Sequence, residues 1–292
     1  MQKSNNQIII IDPQYDFHDV PVEHQAISVG ENQVVDRIAP ALPVTGAWQD
    51  ALNLAQFIKN AGHLMSAITV TMDSHQQYDI SHPMFWRDGQ GNQPAPFTMI
   101  SADDVRKGVM KPIDSKLVQY ALDYTEALES AGRYPLIIWP PHCLIGTPGH
   151  NVVQPISSAL MEWERTYIGR VIYMTKGHNP YTEHYGAFAA EVPHPADPTT
   201  KLSRPLIERF EQADTIFLTG QALSHCVAAT VRQLADNFGD DNIGKLVLLL
   251  DTTSPVSGFE KNGQDFINEM KARGMRVVNT TDIRITGNTL SF

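Results

Sequence analysis

The sequence predicts an α/β protein: a doubly wound parallel sheet with helices on both faces, in three layers. Three observations predict it. Short, near-continuous apolar runs recur along the 292 residues, as in strands covered on both faces. Amphipathic stretches lie between them, and strand alternating with helix implies a parallel sheet. The composition, 42% hydrophobic and 18% charged, is that of a globular chain. The length suits one large domain or two small ones.

The first run, 8–11, is four isoleucines closed by Asp12. Residues 47–61 form an amphipathic stretch stopped by Gly62, and the run 64–72 is the next strand. Residues 114–131 carry Leu117, Tyr120, Ala121, Tyr124, Leu128 and Ala131 on one helical face, between an Asp114 N-cap and Gly132. The runs 136–139, 171–174, 215–219, 246–250 and 275–278 are further strands. Helical patterns accompany them at 203–213, behind a Ser203 cap, at 224–237, and at 259–273 before Gly274. Two stretches break the alternation. Residues 18–41 show no clean period. Residues 83–112 contain Arg87-Asp88-Gly89-Gln90-Gly91-Asn92 and read as an irregular loop, the kind that serves as a lid, a partner surface or a disordered tract.

Composition narrows the function. The 22 basic and 32 acidic residues give a net charge of −10, and no basic run suited to a nucleic-acid backbone is present. Two cysteines make no disulfide framework, yet each directly follows a histidine: His142-Cys143 and His225-Cys226. The apolar start is shorter than the ~7–15 residues of a signal-peptide core. No run approaches the ~20 residues that cross a bilayer. A cytoplasmic, reducing location with free thiols is the expectation, with neither nucleic acid nor membrane as partner. Dinucleotide, P-loop, zincin and nucleophile-elbow motifs are absent from the sequence.

The candidate chemistry sits where strands end, the place at which α/β sheets bind ligands. Asp12 follows the first strand, either as a partly desolvated general base or as a cap of the next turn. Asp73-Ser74-His75 follows the second. In extended chain, Asp73 and His75 point the same way and could grip one ion. His142 ends another apolar run, and His82 is either a further ligand or a surface residue. Such donors suit Zn²⁺, Fe²⁺ or Mn²⁺. Lys176-Gly177 closes the run 171–174, as a partner for Asp12 or as a solvated charge. Cys226 lies in the first turn of the helix 224–237, where backbone N–H groups favour a thiolate, or else it is a packed structural thiol. Cys143 reads as packing.

These motifs together resemble the nicotinamidase/pyrazinamidase branch of the isochorismatase-like cysteine hydrolases. Ile11-Asp12-Pro13-Gln14-Tyr15-Asp16-Phe17 resembles the family's VDxQxDF, and Leu42-Pro43-Val44-Thr45-Gly46-Ala47 its LxVxGA. Asp73-Ser74-His75 resembles its metal-binding DxH. Trp139-Pro140-Pro141-His142-Cys143 with Gly146-Thr147-Pro148-Gly149 resembles WPxHCxxGTPG. Lys176-Gly177 and Gly220-Gln221-Ala222 through His225-Cys226-Val227 resemble its KG element and nucleophile turn. The resemblance spans most of the chain, as one domain with insertions at about 18–41 and 83–135.

The resemblance implies Cys226 as nucleophile, Asp12 as its base and Lys176 as third member of a triad. It implies Asp73, His75 and His142 as ligands of a divalent metal, zinc first, with His82 as a possible fourth. It also implies a cis peptide between Gln221 and Ala222 that aims the Ala222 and Cys226 N–H groups at an oxyanion. Phe17, Trp139, Tyr185 and His225 would line the substrate pocket. The implied reaction is hydrolysis of nicotinamide or a close heteroaromatic carboxamide through a thioester, by a homo-oligomeric enzyme. Departures from the pattern at Leu223, Ser224 and His150 keep open a related hydrolase of another small amide. A metal-binding scaffold without catalysis is the reading from a different class.

Overall fold

Ile8 and Ile10 bury into one hydrophobic core, and Ile9 and Ile11 into another. That alternation places the first strand in the middle of a covered sheet. The computed structural model describes residues 4–29, 35–132 and 134–292. Residues 30–34 of the first expected insertion and 133 of the second lie outside the described residues.

Six strands form the central sheet: β1 (Asn6–Ile11), β2 (Met65–Asp73), β3 (Ile172–Lys176), β4 (Thr215–Gly220), β5 (Leu246–Leu249) and β6 (Arg276–Val278). Their order is β6-β5-β4-β1-β2-β3, and every neighbouring pair is parallel. The chain's direction of travel across the sheet therefore reverses between β1 and β4. In such sheets, the crevice at the carboxyl ends of the two reversing strands is the ligand site.

Seven helices accompany the described sheet: α1 (Ala47–Ala61), α2 (Ala102–Arg106), α3 (Val118–Ala131), α4 (Gln154–Tyr167), α5 (Arg204–Glu211), α6 (Ala228–Phe238) and α7 (Glu260–Ala272). Leu54 and Ile58 of α1 pack with Leu160 and Trp163 of α4 over Ile8 and Ile10. Phe210 of α5, Leu234 of α6 and Phe266 of α7 pack over Ile9 and Ile11. This is the expected three-layer, doubly wound α/β architecture. Among the described residues, no helix is long and apolar enough to cross a membrane.

Several sequence expectations need correction. The run 136–139 is not a strand of the main sheet. Leu136–Ile137 pairs antiparallel with Met99–Ile100 instead. A short apolar run reads the same whichever core covers it. Residues 83–112 are not irregular throughout. Trp86–Asp88 pairs with Met110–Pro112, and α2 starts on a reciprocal capping box between Ser101 and Asp104. Phe85, Trp86, Ile100 and Val105 join Tyr124 and Leu128 of α3 in a third hydrophobic core. The stretch 18–41 holds the antiparallel pair Ala26–Val29 and Val35–Ile38, whose exposed sides leave no burial period to read.

Helix boundaries shift for local reasons. The segment 114–131 opens as a 3₁₀ turn, Ser115–Leu117, where the Asp114 carboxylate accepts the Lys116 N–H at 3.0 Å. Ala131 is exposed, outside the expected face. Ser203 makes no side-chain cap before α5, whose first turn holds Pro205. Cys226 sits in a π-helical turn, Leu223–Val227, rather than in the first α-turn of α6. Helix α4 lies outside the sequence expectations, although Ile156, Ala159, Leu160 and Trp163 have the right spacing for a buried face.

Candidate active site

The reversal between β1 and β4 brings Asp12 and the Cys226 turn together. Gly220, at φ +111°, ends β4, and a Cβ there would collide with the Ile11 backbone. Glycine thus permits the close approach of the two strand ends. Asp12 itself takes φ +44°, an uncommon conformation for a side-chain-bearing residue and a frequent mark of functional sites. The Thr71 hydroxyl holds it, donating to Asp12 Oδ1 at 2.5 Å.

Lys176, from the edge strand β3, is fully buried and not a surface charge. Its Nζ lies 2.9 Å from Asp12 Oδ2, 3.0 Å from Asp73 Oδ1 and 3.7 Å from Cys226 Sγ. It also donates to the His184 carbonyl at 2.8 Å. Burial opposes its charge, but Asp12 and Asp73 outweigh burial and hold the ammonium well above its ordinary pKa. Burial pushes the Cys226 thiol well up, against the pull of Lys176. Burial also raises the Asp12 carboxyl, with Lys176 again opposing. Burial thus shifts the thiol and the carboxyl in the same direction. The Gln221–Ala222 peptide is cis. The Gln221 side chain is anchored through Nε2 to Asp50 Oδ2 at 2.9 Å, and Oε1 accepts the Ser254 N–H at 3.3 Å.

Asp73 joins this cluster to a group of histidines. His75 Nε2 is 3.2 Å and His142 Nε2 is 3.6 Å from Asp73 Oδ2. One ligand atom from each of Asp73, His75 and His142 fits within a 4.8 Å span. His142 arrives from outside the main sheet because the chain after it runs parallel beside His75. The His75 N–H donates to the Cys143 carbonyl, and the Ile145 N–H to the His75 carbonyl. Gly177, at φ +77°, clears space here: a Cβ would lie 2.8 Å from Asp73 Oδ1. The His82 ring centre lies 5.0 Å from that of His75 and 5.5 Å from that of His142, outside the tight three-residue group but buried beside it.

The hydrogen bonds of these rings fit a metal. Each Nδ1 has an acceptor: Asp79 Oδ2 at 3.0 Å for His75, the Pro140 carbonyl at 2.9 Å for His142, and the Gln76 carbonyl at 3.0 Å for His82. Nδ1–H donation leaves each Nε2 as the free lone pair, the arrangement that orients metal-binding imidazoles. Among the described residues, the buried His75 and His82 Nε2 atoms have no hydrogen-bond partner. Burial opposes charge on His75, but Asp73 and Asp79 raise its pKa well above the ordinary value. A divalent cation among these donors would take the place of that proton. Burial, aided by His75, lowers His82 to about 3, so His82 is a neutral donor.

Both clusters open on one cavity. Phe17, Trp139, Tyr185 and His225 line it, together with Ala222 and Cys226. Trp139 Nε1 donates to the Tyr185 hydroxyl at 3.0 Å, which fixes two of these walls. Asp73 and His142 reach the same cavity from the histidine side. Three contributors escaped the sequence reading: Thr71, Asp79 and Glu183. Asp79 lies four residues after His75, a spacing that could have signalled it. Glu183 is a buried carboxylate on the cavity wall that accepts the His184 N–H at 2.8 Å, and burial raises its pKa. It lies in a loop whose course the sequence does not reveal.

No family model matches the chain. A curated nicotinamidase from Saccharomyces cerevisiae is 28% identical over 144 residues, 49% of this chain. The match spans 58% of that relative's length. The solved structure of the yeast nicotinamidase superposes with a TM-score of 0.59 at 20% identity, over 94% of this chain and 99% of that one. A pyrazinamidase of Pyrococcus horikoshii in complex with zinc gives a TM-score of 0.52 at 16% identity, over 94% of this chain and 99% of that one. The chain has the isochorismatase-like α/β fold of these proteins. The partial sequence match and the superpositions both fall on nicotinamidases and pyrazinamidases.

Proposed function

We propose that this chain is a metal-dependent amidohydrolase that converts nicotinamide, or a close heteroaromatic carboxamide, to the acid and ammonia. One observation carries the reading: a buried Cys226–Lys176–Asp12 cluster adjoins a histidine–carboxylate cluster, and both serve one aromatic-walled cavity. The activity of the yeast relative and the zinc of the Pyrococcus structure are consistent with it.

A carboxamide carbon is a weak electrophile, so the reaction needs a thiolate and a stabilised oxyanion. Asp12 takes the Cys226 proton, and Lys176 holds the two groups together while offsetting the charge that moves. The Cys226 sulfur attacks the amide carbon. The Ala222 and Cys226 N–H groups receive the developing oxyanion. Asp12 then passes its proton to the amide nitrogen, and ammonia leaves as the C–N bond breaks. Water, deprotonated by Asp12, cleaves the thioester and restores the thiol.

Asp73, His75 and His142 would hold the metal, with His82 beside them. When bound, it supplies a Lewis acid that anchors the ring nitrogen, directly or through water. Phe17 and Trp139 clasp the ring and so orient the carboxamide toward Cys226. The test is acid quenching during turnover of nicotinamide, followed by peptide mass mapping. A nicotinoyl adduct on the Cys226 peptide is expected. Steady ammonia release with every adduct elsewhere would overturn the mechanism.

A further inference from the structure

Asp50 lies in the first turn of α1 and is buried, at 8% exposure. Its Oδ2 accepts the Gln221 Nε2–H at 2.9 Å, and the Ser254 hydroxyl also donates to its carboxylate. Among the described residues, the charges that act on it most are those of Asp19 and Asp251, both acidic. Burial pushes its pKa up, and the two hydrogen bonds pull it back. Burying a carboxylate without a cation is costly, and the donors that offset the cost are themselves held firmly.

What they hold is the nucleophile turn. Gln221, 1% exposed, is pinned at three points. Its Nε2–H reaches Asp50, its Oε1 accepts the Ser254 N–H at 3.3 Å, and its backbone N–H donates to the Ile11 carbonyl at 2.8 Å. A donor on one side and an acceptor on the other allow one orientation of the amide. Ser254 grips the turn again, its carbonyl accepting the Leu223 N–H at 2.9 Å. Two residues on, the Val256 N–H donates to Ser224 Oγ at 3.1 Å. Asp50 is thus the common anchor of Gln221 and of the segment 254–256, which bracket Ala222. Among the described residues, Ala222 lines the cavity and Gln221 and Asp50 do not.

We propose that Asp50 is a positioning residue for oxyanion stabilisation: through Gln221 and Ser254 it fixes the Gln221–Ala222 peptide so that the Ala222 N–H meets the tetrahedral oxygen. The proposal rests on the amidase reading. It extends that reading by naming a group outside the cavity on which the donor depends. Misplacing a catalytic group by about 1 Å can cost about a hundredfold in rate. Asp50 touches no substrate, so its loss should weaken binding of the transition state and leave binding of the ground state alone.

The test compares the metal-loaded wild type with Asp50→Ala, Gln221→Glu and the double variant Asp50→Asn/Gln221→Glu. It reads kcat and KM for nicotinamide and the Ki of pyridine-3-carbaldehyde. The Cys226 sulfur adds to the aldehyde carbon and the thiol proton passes to the former carbonyl oxygen, which gives a tetrahedral mimic of the intermediate. In Asp50→Ala, kcat should fall about tenfold to a hundredfold and Ki should rise in step, with KM within about twofold. Gln221→Glu sets two carboxylates face to face and should do the same. Adding Asp50→Asn restores each hydrogen bond with the charge on the other partner, and should bring kcat to within about threefold of wild type. Unchanged kcat in either single variant, a rise in Ki no larger than that in KM, or a double variant as slow as Gln221→Glu overturns the proposal alone. Should Asp50→Ala not fold, the Gln221→Glu pair decides; loss of folding in all three variants shows a structural role and overturns the proposal too. A wild type that releases no ammonia from nicotinamide overturns the amidase reading beneath it.

Discussion

A buried ammonium between two buried carboxylates is held by mutual charge, and removing one member leaves the others uncompensated. Lys176 lies within 3.0 Å of both Asp12 and Asp73. Lys176→Met should therefore lose roughly 3–5 kcal/mol of stability as well as activity. Denaturant unfolding at neutral pH measures it, and a loss under about 1 kcal/mol would contradict the ion-pair account. His18 makes a different case. It is fully buried, its Nδ1 is bonded to the Gln14 carbonyl at 2.6 Å, and burial lowers its pKa from 6.5 to about 4. The unfolded chain then binds the extra proton first as pH falls. Stability from this group is complete above pH 6.5 and drains away as pH drops toward about 4, by on the order of 3 kcal/mol. In His18→Gln, the melting temperature should fall less steeply across that window than in wild type. Asp12, Asp73, His75, Lys176 and Cys226 were legible as residues because each closes or follows an apolar run. The partners that tune them were not: Thr71 is an ordinary strand residue until folding sets it against Asp12.

The strands of the main sheet announce themselves because burial on both faces demands unbroken apolar runs. The elements of the insertion do not, because each is short and finds its cover in the third core rather than on the sheet. That core brings the insertion to the cavity wall. Phe97, half exposed, meets Trp139 edge-to-face with ring centres 5.8 Å apart. A pair of this kind contributes about 0.5–1.5 kcal/mol. Phe97→Ala should loosen Trp139 and raise KM about two- to tenfold, with the melting temperature nearly unchanged. Steady-state kinetics beside a thermal melt check it, and an unaltered KM would detach the insertion from substrate binding. The exposed pair at 26–38 stayed illegible for the opposite reason: nothing covers enough of it to impose a pattern.

Taken across the molecule, the sheet order makes one site out of residues separated by more than two hundred positions. β1 and β4 meet at the reversal, β2 and β3 lie beside them, and their carboxyl ends deliver Asp12, the Cys226 turn, Asp73 and Lys176. Sequence alone suggested that His142 came from another strand of the same sheet. It comes instead from a segment docked along His75, a pairing no local pattern encodes. If the histidine cluster is a metal centre, purified protein should carry one divalent ion per chain by mass spectrometry of the metal content. His75→Ala should lose it while keeping the wild-type circular dichroism. Full activity in metal-free protein would refute that half of the site. The two His-Cys dipeptides thus serve separate halves: His142 beside the carboxylate and histidines, Cys226 beside Lys176 and Asp12.

The central claim is that Cys226 hydrolyses a small aromatic amide, and ammonia release from nicotinamide by wild type and Cys226→Ala tests it most directly. The account predicts steady release by the wild type and none above background from the variant, with both proteins equally folded and metal-loaded. Equal release by the two would contradict it.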